Sequence, residues 1–278
     1  MSLVVEQEVL DKLDRVCHQL RALGSVVVAY SGGTDSAFLL WAAVQALGAG
    51  QVLAVTARSP SLPQAEADEA VRVAALIGAR HRFVETREFE DERYLVNSPQ
   101  RCFFCKSALF EPLQRLAQAE GLRSLVYGAL ADDQFDWRPG HQAAQQYGVV
   151  SPLADTGLTK PEVRWLSRRA GLPTWDKPQA ACLSSRIPFG ERVTPEKLAM
   201  VEQAETWLRA QGFRQVRVRH FGNRARIEVE PADLPRLLGD EALRRRAADA
   251  LQALGFADVE IDPSGYRSGS LHAASSAV

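Results

Sequence analysis

The sequence has no long apolar run, few cysteines and almost no net charge, and each shortage removes a class of protein. No stretch is long and apolar enough to read as a bilayer span. Residues 1–23 place Val9, Leu13, Val16, Leu20 and Leu23 at helical spacing amid mixed charge, so the start reads as an amphipathic helix and not as a signal peptide. Four cysteines in 278 residues are too few for a disulfide scaffold. The expected location is therefore the cytoplasm, where thiols stay reduced and available for chemistry or metal. A net charge of −1 gives no global pull toward nucleic acid or a membrane, and neither is an expected partner. The five histidines, at 18, 81, 141, 220 and 272, form no metal-ligand spacing, and no internal repeat is visible. Hydrophobic residues, at 46%, are ample for a core.

What is present begins with Tyr30-Ser31-Gly32-Gly33-Thr34-Asp35-Ser36. The run Val26–Ala29 before it reads as a buried strand, and Ala37–Val44 after it as a helix. A strand, a glycine turn and a helix start make an anion site. Gly32 and Gly33 carry no Cβ, so backbone N–H groups can approach a phosphate. Ser31, Thr34 and Ser36 add hydroxyls. The turn is neither G-x-G-x-x-G nor G-K-[ST], which sets aside the dinucleotide fingerprint and Walker A. The pattern S-G-G-x-D-S resembles the PP-loop of ATP pyrophosphatases. That resemblance implies ATP as co-substrate, cleavage between its α and β phosphates, and a role for Asp35 with Mg²⁺.

Further strands are expected at 51–57, 81–86, 125–130 and 149–153, with helices between them. This alternation predicts an α/β fold with a parallel sheet. Ligands bind beyond the carboxyl ends of such strands, which places Arg58 and Gly128 beside the glycine turn. Asp132, Asp133, Asp136 and Arg138 follow the fourth strand and suit either Mg²⁺ or substrate handling, or a solvated loop. The Pro-rich stretch 172–190 reads as a long ordered loop and holds Cys182, Ser184, Ser185 and Arg186. The expected domains are 1–190, a small α+β module at 191–263, and a Gly/Ser/Ala-rich tail at 264–278. In that module, strands 215–220 and 224–230 form a hairpin at Phe221-Gly222-Asn223. Arg217 and Arg219 alternate on one strand, so they share a face, either as a phosphate clamp or as an exposed edge of charge.

Cys102 and Cys105 are spaced C-x-x-C at a helix head. Such a pair serves redox chemistry, half a zinc site or part of an iron–sulfur site, or else is buried and inert. No second C-x-x-C completes a zinc ribbon, and the thioredoxin context is missing. Cys182 is a third thiol expected at the same sheet edge, whereas Cys17 reads as a core thiol.

The order YSGGTDS, RCFFCK, DDQFDWRPG, SPL and GLPTWDKPQAACLSSRIPFG is similar to that of the LarE family, over about residues 10–261. The fold this implies is a PP-loop ATP pyrophosphatase, like the adenine nucleotide alpha hydrolases, with a small C-terminal domain. The implied activity is sulfur transfer in nickel-pincer nucleotide cofactor synthesis. A carboxylate of pyridinium biscarboxylic acid mononucleotide is adenylated, and sulfur replaces AMP to give a thiocarboxylate. The resemblance implies one of two sulfur sources. Either Cys182 gives up its own sulfur and becomes dehydroalanine, or Cys102, Cys105 and Cys182 hold a [4Fe–4S] cluster that delivers sulfide. With all three thiols present, the cluster is the expectation. The resemblance also implies that Arg217 and Arg219 bind the substrate phosphate, with Glu228, Ser185 and Arg186 nearby. It implies a homo-oligomer, an upstream carboxylase and a downstream nickel-inserting protein. A PP-loop tRNA thiolation enzyme and a non-catalytic nucleotide sensor are the alternatives.

Overall fold

The computed structural model describes residues 3–135, 139–178 and 181–267. In chain order the elements are α1 (Leu3–Leu23), β1 (Val26–Ala29), α2 (Thr34–Leu47), β2 (Val52–Arg58), α3 (Gln64–Ile77), β3 (Arg80–Glu85), α4 (Glu92–Leu95), α5 (Arg101–Ala119), β4 (Ser124–Tyr127), α6 (Pro139–Gln146), α7 (Pro152–Asp155), α8 (Lys160–Arg169), α9 (Pro195–Ala210), β5 (Val216–Phe221), β6 (Arg224–Val229), α10 (Leu234–Gly239), α11 (Glu241–Ala253) and β7 (Asp258–Ile261). They form two compact units, one of residues 1–90 with 102–180, the other of Asp91–Arg101 with the chain from Ala181 onward. Compactness thus divides the chain ahead of Cys182, whereas the sequence reading divides it at 190. The physical reason is that Ser184 and Arg186 bond to Tyr94 and Glu205, which belong to the second unit.

The first unit is built on a parallel sheet of order β3-β2-β1-β4. Val26 of β1 faces Val52 on one side and Ser124 on the other. A parallel strand covered on both faces needs a continuous apolar run, and Val26–Ala29 supplies one. Side chains alternate along it. Val26 and Val28 enter a core with Val9, Val16 and Leu20 of α1 and Phe38 and Leu39 of α2. Val27 and Ala29 enter a core with Phe110 and Leu113 of α5 and Ala143 of α6. From β1 the chain builds outward to β2 and β3 on one side and β4 on the other. The carboxyl end of β1 is therefore a topological switch point, where open α/β sheets bind ligands. Residues 30–36 occupy that position.

The strand expected at 149–153 does not form. One parallel bridge joins Val150 to Val126, and the chain then turns into α7. Pro152 is the cause: it cannot donate to a ladder, but its fixed φ suits the first turn of a helix.

The second unit has a three-stranded sheet of order β5-β6-β7. β5 and β6 are the antiparallel hairpin expected at Gly222, and β7 adds parallel to β6. Val216, Val218, Ala225 and Ile227 pack with Leu208 of α9 and Leu243 and Leu251 of α11. Among the described residues, no helix is long and apolar enough to cross a membrane.

Candidate functional site

In the first unit, the glycine turn is fixed from three directions. Gly32 has φ +72°, a left-handed conformation that favours glycine, and a Cβ there would stand 2.9 Å from Cβ of Ala70 on α3. Gly128, just past β4, backs the turn. A Cβ on it would lie 3.0 Å from both the Asp35 carbonyl carbon and the Ser36 nitrogen. The sequence reading gives Gly128 to an approaching ligand; the group that approaches is the loop's own backbone. Thr34 is buried and donates its hydroxyl to the Thr174 carbonyl at 2.7 Å, anchoring the segment ahead of Cys182 to the loop. Within the loop, the Ser31 and Ser36 hydroxyls are 3.0 Å apart, and Ser36 donates to the Gly33 carbonyl at 3.2 Å.

Asp35 sits in the first turn of α2. Lys160 Nζ lies 2.7 and 2.8 Å from its two carboxylate oxygens. Burial pushes the Asp35 carboxyl above its ordinary value, with Lys160 opposing that shift. Two further cations frame the turn. Lys177 Nζ is 2.7 Å from Glu66 and donates to the Gly32 carbonyl at 3.2 Å. Arg164, one helical turn after Lys160, donates to the Lys177 carbonyl at 3.0 Å. The sequence reading assigns no role to these three. A signal for Lys160 was available: a capping box, Thr159 with Glu162, sets the start of α8.

Arg58 ends β2 exposed, its guanidinium 3.9 Å from the centre of the Phe83 ring. In the acidic loop, Asp132 accepts from the Lys160 amide at 2.8 Å and Asp133 from the Leu130 amide at 3.0 Å. Asp136 and Arg138, read as part of that loop, lie outside the described residues. Cys102 and Cys105 open α5 three residues apart, so they share a helix face; Cys102 is exposed and Cys105 half-buried. Cys17 is half-buried on α1, where burial pushes its thiol up, which keeps it protonated.

In the second unit, Cys182 is exposed and precedes a single 3₁₀ turn, Leu183–Arg186. The backbone around it is held by arginines. Arg186 donates to the Ala181 and Cys182 carbonyls at 2.7 and 3.0 Å, Arg101 to the Ser184 carbonyl at 2.8 Å, and Arg219 to the Ser185 carbonyl at 3.0 Å. The Tyr94 and Ser184 hydroxyls are 2.6 Å apart, and Asn97 donates to the Ile187 and Pro188 carbonyls. Asn97, at φ 55°, is fully buried.

The centre of this unit's polar network is Glu205 on α9, wholly buried. Arg186 reaches its two oxygens at 2.7 and 2.9 Å, Arg209 donates at 2.7 Å and the Val218 amide at 3.1 Å. Burial alone would push this carboxyl up, but Arg186, Arg209 and Arg217 hold it below the usual carboxylate range. Sequence reasoning missed Glu205, although its place on the buried stripe Leu198, Val201, Leu208 was a signal.

Arg217 and Arg219 are both 5% exposed, so they do not form an exposed edge of charge. Arg219 binds Glu228 through Nε and Nη2 at 2.9 and 2.7 Å. Arg217 donates to the Val216 carbonyl and lies over the Tyr266 ring. Burial first and Arg186 second push its guanidinium down to about 10, and it stays charged at neutral pH. Arginines 186, 209, 217 and 219 thus gather around two buried carboxylates, Glu205 and Glu228. Among the described residues, no group of three His, Cys, Asp or Glu side chains is placed to hold a metal ion.

No protein-family model matches the chain. It is 34% identical to the pyridinium-3,5-bisthiocarboxylic acid mononucleotide synthase of Lactiplantibacillus plantarum, over 91% of each chain. It is 43% identical to an uncharacterized protein of Synechocystis, over 94% of this chain and 97% of that one. A more distant relative, an uncharacterized protein of Methanocaldococcus jannaschii, is 27% identical over 87% of this chain and 91% of its own.

Proposed function

The chain belongs to the LarE family, and from that premise we propose that it is an enzyme that transfers sulfur, at the expense of ATP, to a carboxylate of pyridinium biscarboxylic acid mononucleotide. The observation that carries this reading is the S-G-G-T-D-S turn at the switch point of a parallel sheet. A substrate carboxylate oxygen attacks the α-phosphorus of ATP and pyrophosphate leaves. A sulfur nucleophile then attacks the acyl carbon, the C–O bond to AMP breaks, and a thiocarboxylate results. The product named for the Lactiplantibacillus relative carries two thiocarboxylates, so two such cycles serve one molecule.

The chain's own residues divide this work. Backbone N–H groups of Gly32 and Gly33 and the start of α2 face the phosphates. Asp35 supplies a carboxylate for Mg²⁺, which when bound neutralises charge on the departing pyrophosphate. Arg217 and Arg219 hold the phosphate of the mononucleotide, and Glu228 fixes Arg219 in position for it. Glu205 and Arg186 hold the backbone on either side of Cys182, so that the thiol is presented at the surface.

For the sulfur source, the donor chemistry fits a [4Fe–4S] cluster held by Cys102, Cys105 and Cys182: three thiols, two of them one helical turn apart and two of them exposed. When bound, such a cluster supplies an open iron that carries a replaceable sulfide.

The test is pyrophosphate release with ATP, Mg²⁺ and the mononucleotide acid, followed by intact mass. Acid-dependent release is expected. ATP binding without cleavage in the presence of this acid would sink the reading. After anaerobic reconstitution with iron and sulfide, the protein should be brown and turn over repeatedly at constant mass. A loss equal to one H₂S after a single turnover would assign the sulfur to Cys182 itself. A Cys182→Ser protein that kept a full cluster would contradict the proposed ligand set.

A further inference from the structure

The Lys160–Asp35 pair has the geometry of an exchangeable contact. Its ammonium chelates both carboxylate oxygens at 2.7 and 2.8 Å, the atoms a divalent cation would take. Its mount is rigid. The Lys160 amide donates to Asp132 at 2.8 Å, and Glu162 closes the capping box while holding Lys12 at 2.7 Å. Arg164 ties the same helix to the segment that reaches the Gly32 carbonyl. Only the flexible stem of Lys160 is left to move, and its side chain is 36% exposed. An ion pair this exposed adds little to stability. Its position on the loop's one carboxylate calls for another account. A phosphate lying on the Gly32 and Gly33 amides would be close to the ammonium, because Asp35, which holds it, lies two residues beyond Gly33 in the same turn.

We propose that Lys160 exchanges partners during nucleotide binding. It holds Asp35 until a divalent cation takes that carboxylate, and then moves to an oxygen of the ATP β- or γ-phosphate. The proposal rests on the ATP reading above. Lys160 on this account makes cation and triphosphate arrive together: each alone meets a site whose charge is already matched, and the pair redistributes it.

The experiment measures binding of Mn²⁺ alone by electron paramagnetic resonance and of Mg·ATP by calorimetry. Lys160→Met should shift the two in opposite directions. Mn²⁺ alone should bind about tenfold tighter, because one positive charge leaves the carboxylate. Mg·ATP should bind about 10- to 100-fold weaker, the scale of one lost charge-assisted contact. Asp35→Asn supplies a second, independent reading. Its ammonium has lost its anchor, so ATP without metal should bind about tenfold tighter than to the unmodified protein. Equal changes of one sign in Lys160→Met, or no gain for metal-free ATP in Asp35→Asn, would overturn the exchange. Absence of any ATP binding by the unmodified protein would instead bring down the ATP reading, so the two failures are distinguishable.

Discussion

Glu205→Gln is expected to lower the unfolding free energy of the second unit by about 3–5 kcal/mol, the scale of leaving a buried charge without its partner. The substitution keeps the shape of the side chain and removes one negative charge. Arg186, 2% exposed, then has no counterion at the end of its bidentate pair, and Arg209 loses its partner as well. The effect reaches the Cys182 loop, because the same guanidinium holds the Ala181 and Cys182 carbonyls. Urea unfolding at neutral pH measures the stability. Hydrogen exchange at the Val218 amide, which donates to Glu205, reports the local loss. A change of less than about 1 kcal/mol would mean that the network is held by packing and not by charge.

The pH dependence has a definite sign. The folded Glu205 carboxyl lies below its ordinary value of 4.5. Its contribution is therefore fully present above that value and is lost as pH falls through the lower folded one. Glu205→Gln should flatten this acid-side decline while leaving the protein less stable at neutral pH. An unchanged acid limb would assign the decline to other carboxylates.

Gly128→Ala is expected to abolish most pyrophosphate release while the second unit keeps its fold. The added methyl would meet the Asp35–Ser36 peptide, 3.0 Å from both its carbonyl carbon and its nitrogen, and a peptide group cannot swing away as a side-chain tip would. Overpacking of this kind costs about 1–3 kcal/mol. The larger effect is on geometry. The start of α2 must retreat by a few tenths of an ångström, which misaligns the loop amides with the phosphates. Misplacement on the ångström scale can cost about 10²-fold in rate. ATP titration and pyrophosphate assays check this, and retained activity within about threefold would show that the loop tolerates the shift. Gly32→Ala should behave similarly for a different reason, since it combines a left-handed φ with a Cβ 2.9 Å from Ala70.

The parts legible in the sequence were those written in neighbouring residues. Val26–Ala29, the glycine turn and the α2 pattern specify a strand, a tight turn and a helix by local rules, and the structure has all three in place. The β5–β6 hairpin followed from two alternating runs around Gly222. Local rules failed at 149–153, where apolar residues suggested a strand and Pro152 turned the chain into a helix.

What the sequence by itself determined was what lies where along the chain: a glycine turn between a buried strand and a helix, a C-x-x-C pair with a third thiol far downstream, and arginines alternating on a strand. What only the tertiary structure decided was who partners whom. Lys160 meets Asp35 across 125 residues, Tyr94 meets Ser184 across 90, and Arg186 meets Glu205 from a separate element. Arg217 and Arg219 became buried cations, not surface charge, because β6 supplied Glu228 to Arg219 and α9 supplied Glu205, whose charge favours the Arg217 cation. Hydrophobic periodicity fixes which face of an element turns inward, but the pairing of charges depends on which elements the fold then brings together.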